Sequence, residues 1–242
     1  MTNEGVLYGI GLGPGDPELV TLRASRLLNQ LGHLFAPKAD ERGESLARSI
    51  AAFHVGANVV FHELVYPMTR EPSLLEHHWR LAAKPVVTLL ASGHDVGFIT
   101  LGDPLLYSTF SYLMRAVRAE LKGVQIEVIP AVTSFCASAA ATEFVLAERD
   151  SILTIAPAPA TREEFSALLG NGGRLVLMKN GKRLPTILKW LAEEGLLERT
   201  RLVSRVGLPG QRVLEVLASD ADVESLGYLS TLLIELDGRA VS

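Results

Sequence analysis

Two rhythms of apolar and polar positions run along the chain. Residues 6–12 form a short β-rich run that ends in Gly11-Leu12-Gly13-Pro14-Gly15-Asp16. From 18 to 31 the residues Leu19, Leu22, Leu27, Leu28 and Leu31 then recur at helical intervals. This pattern predicts strand, tight loop, helix. Further short apolar runs at 33–36, 58–61, 96–100 and 125–129 predict strands, with amphipathic helices over 45–53, 73–90 and 107–121 between most of them. Strands alternating with helices imply a mostly parallel sheet.

After a helix rich in small residues at 133–142 the pattern changes. Strand-like runs at 151–156, 174–178, 201–206, 212–217 and 229–236 are punctuated by helices only at 162–169, 184–194 and 220–225, so some neighbouring strands must pair antiparallel. The expected fold class is therefore α/β in two domains: a mostly parallel N-terminal sheet over 1–147, a mixed C-terminal sheet over 148–242, and a ligand cleft between them. The polar stretch Glu148-Arg149-Asp150 marks the boundary.

Composition narrows the function classes. The 242 residues, with 48% hydrophobic and 21% charged positions, describe an ordinary globular chain. The formal charge of -4 supplies no overall basic field for nucleic acid or an anionic membrane, so an anionic ligand must meet a local cation cluster. The single cysteine, Cys136, excludes an internal disulfide framework and a Cys-rich zinc site, and fits a reducing cytoplasm. No apolar run approaches the roughly 18 residues of a membrane span, and Met1-Thr2-Asn3-Glu4 lacks the basic start of a signal peptide. A soluble, cytoplasmic protein is expected.

Three strand ends carry candidate chemistry. The glycine-rich turn after the first strand breaks the G-x-G-x-x-G pattern at Pro14 or Asp16, depending on the starting glycine, and the phosphate-binding G-x-x-x-x-G-K-[ST] pattern is missing. Pro14 fixes φ and removes an N–H, so this loop can approach a ligand closely but is poorly built to cradle a pyrophosphate. Its structural alternative is a tight turn with Asp16 as a helix cap. Asp103, in Gly102-Asp103-Pro104, either accepts hydrogen bonds from a ligand amine or ribose or caps the next helix. The third end, Pro130-Ala131-Val132-Thr133-Ser134, offers two hydroxyls ahead of a small-residue helix. No two histidines have H-x-x-x-H spacing, so no metal site from local ligands is expected. Cys136, beside Phe135 and Ala137, reads as a small buried residue, and there is no G-x-S-x-G nucleophile elbow. Lys38, Arg42 and Arg48 lie near the second strand end, and Lys179, Lys182 and Arg183 follow 174–178. Their charges are either solvated surface or hold a polycarboxylate.

Taken in order, these motifs resemble a known family. The segment from Gly11 to Leu22, Gly102-Asp103-Pro104 and Pro130-Ala131-Val132-Thr133-Ser134 are similar to the three signatures of the S-adenosylmethionine-dependent tetrapyrrole methylases, and the resemblance spans essentially the whole chain. Phe35-Ala36-Pro37-Lys38, Tyr66-Pro67-Met68-Thr69 and the stretch from Gly102 to Tyr112 look like the branch that methylates C-20 of precorrin-2 or of cobalt-factor II in cobalamin synthesis.

The resemblance implies a homodimeric C-methyltransferase that takes S-adenosylmethionine and a tetrapyrrole substrate and needs neither a metal nor a catalytic triad. It implies cofactor contacts at Pro14, Gly102, Asp103, Leu106, Thr133 and Ser134, and in the second half at Ala156, Met178 and Gly207. Lys179 can replace Met178, because the motif aligns in two ways one residue apart. Ala131 departs from a glycine found in many relatives. Lys38, Arg42, Lys179 and Lys182 are the cations expected to meet substrate carboxylates. No general base is identified. Two other readings stay open: methylation of another tetrapyrrole position, and a non-catalytic tetrapyrrole-binding protein.

Overall fold

The computed structural model describes residues 4–38, 45–65, 72–214 and 226–236. The chain divides into two compact units, 1–133 and 134–242. The division falls ahead of the boundary expected at 147/148, because the helix at Ser134–Ala141 packs against a strand of the second unit.

The first unit is built on five strands: β1 (Leu7–Gly11), β2 (His33–Lys38), β3 (Val60–Val65), β4 (Val96–Thr100) and β5 (Ile126–Ile129). They pair in the order β3-β2-β4-β1-β5, and every pairing is parallel, as the strand–helix alternation implies. The connecting helices are α1 (Leu22–Gln30), α2 (Leu46–Ala51), α3 (Pro72–Ala91) and α4 (Phe110–Glu120). Phe35, Phe98, Phe110, Leu113 and Val117 are fully buried in the unit's core, each contributing about 1.5–3 kcal/mol by leaving water. Phe110 fits only because Gly9 lies beneath it, since a Cβ there would stand 2.3 Å from the ring.

The helix expected over 18–31 is interrupted. A 3-10 turn at Pro17–Leu19 comes first, with Asp16 accepting a hydrogen bond from Glu18 N. Val20 and Thr21 are then extended, and the Thr21 hydroxyl caps α1 by accepting from Ala24 N. Two local caps outcompete one continuous helix. Leu22, read as part of the apolar stripe, is consequently 76% exposed.

The second unit contains α5 (Ser134–Ala141), β6 (Leu153–Pro157), α6 (Arg162–Leu169), β7 (Arg174–Met178), α7 (Leu184–Glu193), β8 (Thr200–Ser204), β9 (Arg212–Leu214) and β10 (Ser230–Glu235). Its sheet runs β6-β7-β10-β8-β9, with β6 and β7 parallel and the other pairings antiparallel, so it is mixed as expected. The helix expected at 220–225 lies outside the described residues. Leu175, Leu177, Leu188, Leu191, Leu232 and Ile234 form the core. Cys136 corrects the sequence reading, being exposed rather than buried. On the short α5, Phe135, Ser138 and Ala139 face inward, and the 100° step per residue turns Cys136 away from them. Among the described residues no helix is long and apolar enough to cross a membrane.

Candidate functional site

In a parallel sheet all carboxyl ends lie on one edge, which is where α/β folds bind ligands. The order β4-β1-β5 makes the three motif-bearing strand ends neighbours, although they are far apart in sequence. The backbone ties them together. Leu12 N donates to Thr100 O at 3.0 Å and Gly102 N to Gly13 O at 2.7 Å, so the loops after β1 and β4 form an isolated antiparallel bridge. Gly11 is required beneath this junction, since a Cβ there would meet the Ala131 methyl at 2.6 Å and Gly102 O at 2.8 Å.

Asp103 binds the third end into the same cluster. One carboxylate oxygen accepts from Leu105 N at 2.9 Å, shaping its own loop, and the other accepts from Ala131 N at 3.0 Å in the loop after β5. It is therefore not the cap of α4. That helix begins at Phe110 behind Thr109, which makes no side-chain capping bond. The turn into α4 is held instead by Ser108, whose hydroxyl accepts from Phe110 N and lies 3.2 Å from the Thr100 hydroxyl.

Two features of this cluster suit a ligand. Gly102 has φ +73°, and its missing side chain faces space with no atom within 4 Å of an ideal Cβ position, so the backbone can be approached closely. The Thr133 hydroxyl oxygen is buried without a hydrogen-bond partner, a costly condition that a ligand polar group would relieve. Pro14 is buried in the first loop, and Leu106 is half-buried, its N–H reaching Asp103 O at 3.4 Å.

Ser134 opens α5 in the second unit. There, β6, β7 and β8 run in the same direction, since β7 and β8 are both antiparallel to β10. Their carboxyl ends bring Ala156, Met178 and Gly207 to one edge of that sheet. Ala156 pairs with Leu177, and Ala158 N donates to Met178 O at 2.8 Å. Gly207 has φ +72°, and its N–H donates to the Gln211 side-chain oxygen at 2.7 Å. Lys179, at φ +56°, is exposed with its ammonium 5.8 Å from the Tyr228 ring centroid, and Lys182 is exposed in the 3-10 turn at Gly181–Arg183. Of the four cations read as substrate ligands, Arg42 lies outside the described residues, as does the stretch Tyr66-Pro67-Met68-Thr69.

Lys38 closes β2 on the carboxyl edge of the first sheet, and it is not a lone cation. Its ammonium lies 3.1 Å from Glu63 Oε2, while Arg48 Nη1 lies 3.1 Å from Glu63 Oε1. Glu63 was missed by the sequence reading. Only the pairing of β2 with β3, which sets Ala36 opposite Glu63, brings it under Lys38. The two cations hold its carboxyl below the usual carboxylate range, mainly through their hydrogen bonds.

On the opposite, amino-terminal edge, an open cavity of about 560 Å³ is lined by Tyr8, His33, His94 and Asp95 among others, and contains none of the motif residues. His33 Nδ1 and His62 Nε2 lie 3.1 Å apart, and His62 stacks on Phe35 at 4.5 Å. Burial, and secondarily the neighbouring His33, lowers the His62 pKa from its ordinary 6.5. Among the described residues no group of three or more His, Cys, Asp or Glu side chains is arranged to hold a metal ion.

Residues 6–222 match the family described as Tetrapyrrole (Corrin/Porphyrin) Methylases. The chain is 35% identical over 231 residues to the cobalt-precorrin-2 C(20)-methyltransferase of Salmonella typhimurium, covering 96% of each protein. It is 30% identical over 239 residues to the precorrin-2 C(20)-methyltransferase of a Sinorhizobium species, covering 95% of each. Among solved structures, the cobalt precorrin-4 methyltransferase CbiF superposes with a TM-score of 0.73 over 96% of each chain at 22% identity, a likeness of fold. Joined strand ends and a match across most of the chain lead to one assignment: this protein belongs to the tetrapyrrole methylase family.

Proposed function

We propose that the protein transfers one methyl group from S-adenosylmethionine to C-20 of precorrin-2 or of its cobalt complex in cobalamin synthesis, releasing S-adenosylhomocysteine and the proton that C-20 carried. The observation that carries this reading is the full-length match, at 35% identity, to an enzyme named for that reaction. The joined loops after β1, β4 and β5 support it by offering an open backbone at Gly102 and an unpartnered Thr133 hydroxyl for the methyl donor.

The donor supplies a sulfonium methyl that is already electrophilic, and the meso carbon between two pyrroles is an adequate nucleophile, so the protein's task is alignment and exclusion of water. In this reading Gly102, Leu106, Thr133 and Ser134 hold the donor, with Pro14 from the loop after β1. Ala156, Met178 or Lys179, and Gly207 are the second-unit contacts in this reading. Asp103 fixes the two loops that carry Gly102 and Ala131. Lys38, with Lys179 and Lys182, meets substrate carboxylates through charge-assisted hydrogen bonds. The working form in this reading is a cytoplasmic homodimer. The cobalt-bound substrate is favoured, because the relative matched at 35% identity is named for it whereas the one at 30% is named for the metal-free compound.

The test is anaerobic incubation with methyl-labelled donor and each tetrapyrrole in turn, followed by mass spectrometry and carbon NMR. A gain of one methyl with the label at C-20 is expected. A label at another carbon, or no gain with either substrate, overturns the proposal.

A further inference from the structure

The Lys38–Glu63–Arg48 cluster has more charge than a structural ion pair needs. Two cations share one carboxylate, leaving one net positive charge in a chain whose formal charge is -4. Solvent-facing ion pairs contribute little to folding, so stability is a weak reason for the arrangement. Local structure nevertheless builds it with care. Ser45 donates to Pro37 O at 3.0 Å and caps α2 at Arg48 N, which pins the first turn of α2 to the end of β2. The Arg48 guanidinium lies 5.1 Å from the Phe61 ring centroid, within cation–π range. The Lys38 side chain is only 15% exposed, which holds its stem in place along the sheet edge.

Among the described residues each cation also keeps donors in reserve. A guanidinium has five N–H groups and an ammonium three, and the bonds to Glu63 use one from each. The cluster lies on the carboxyl edge of the sheet, and β2 is hydrogen-bonded to β4, whose end carries Gly102 and Asp103.

We propose that Lys38, Arg48 and Glu63 form a carboxylate-exchange site, in which Glu63 occupies the place of a substrate carboxylate and yields it when a polycarboxylate tetrapyrrole docks. This rests on the tetrapyrrole reading above and adds to it Arg48 as a binding residue and Glu63 as an internal competitor. Exchange keeps both cations paired in the unliganded protein. It also makes docking depend on the net charge of the triad, +1 in the native chain.

The experiment follows binding of uroporphyrin, a stable tetrapyrrole polycarboxylate, by fluorescence at low and high salt, with its neutral methyl ester as the charge-free control. Glu63→Gln raises the triad to +2, and affinity should rise about five-fold at low salt with a steeper salt dependence, the factor that one charge at roughly 4 Å supplies in water. Arg48→Gln should lower affinity by a similar factor. The Glu63→Gln/Arg48→Gln double variant, again at +1, should return to near the native affinity, a result that a purely structural ion pair does not produce. Binding of S-adenosylhomocysteine, measured by calorimetry, should be equal in all four proteins. Weaker or unchanged uroporphyrin binding in Glu63→Gln, no effect of Arg48→Gln, or equal affinity for uroporphyrin and its ester overturns the proposal. The charge-ordered affinities without C-20 methylation uphold this site and reject the reaction, whereas methylation without them does the reverse.

Discussion

Replacing Asp103 by asparagine tests whether one carboxylate holds the candidate site together. The native side chain accepts two backbone N–H bonds, from Leu105 at 2.9 Å and Ala131 at 3.0 Å. Asparagine is the same size but has one acceptor oxygen, so its amide NH₂ must face the second N–H. The loss is one hydrogen bond to a charged group, about 1.5–3 kcal/mol, or a melting temperature lower by about 3–12 °C for a chain of this length. Alanine removes both bonds and costs more, though less than twice as much, because water reaches this half-buried loop. Thermal and urea unfolding measure the first effect. Calorimetric titration with S-adenosylhomocysteine measures the second, expected to be a loss of affinity of about ten-fold or more as the loops carrying Gly102 and Thr133 come apart. Stability of the Asp103→Asn variant within about 0.5 kcal/mol of the native protein would refute the brace. Lost stability with unchanged affinity would separate the brace from the donor site.

Gly11→Ala should destabilise by about 1–3 kcal/mol in urea unfolding, because its methyl meets Ala131 and Gly102 inside 3 Å, and an unchanged midpoint would show that the junction relaxes freely. Gly102→Ala has open space for its methyl, so only the left-handed backbone, about 1–2 kcal/mol, should appear in stability, while in the proposed reading donor affinity falls because the methyl fills that space. Asn180→Ala should cost about 1–3 kcal/mol, since its buried amide donates to both Leu177 O and Ser230 O, and equal unfolding curves would contradict this. The lowered pKa of His62 means that the unfolded chain binds its proton first as pH falls through 6.5, so stability is complete above that value and declines below it. His62→Phe should flatten that decline in unfolding curves taken at successive pH values, and an unaltered slope would assign it to other groups.

Local pattern made much of the architecture readable. The strand at 174–178 and the helix at 162–169 were expected at the bounds they have, because alternation and helical spacing are properties of neighbouring residues. The mixed second sheet followed from counting too few helices for its strands. The three signature loops were also legible, since glycine and proline constrain the backbone wherever they stand.

Strand order, by contrast, is decided by tertiary packing. The sequence places the β1 and β4 loops about ninety residues apart, and only the order β4-β1-β5 makes Gly13 the partner of Gly102 and Asp103 the acceptor for Ala131. Local reading offered Asp103 a helix cap or a ligand, and the loop brace was not visible until the third strand end stood beside it. Leu22 and Cys136 show the same dependence, because a residue's position on a short helix predicts burial only when the packed face is known. Glu63 lies in a strand with no motif of its own. Its meaning comes from parallel pairing with β2 and from Ser45 anchoring α2, contacts that set its carboxylate between Lys38 and Arg48. Charges separated in sequence become a cluster only when the sheet brings them within reach of a hydrogen bond, and that distance is a property of the fold.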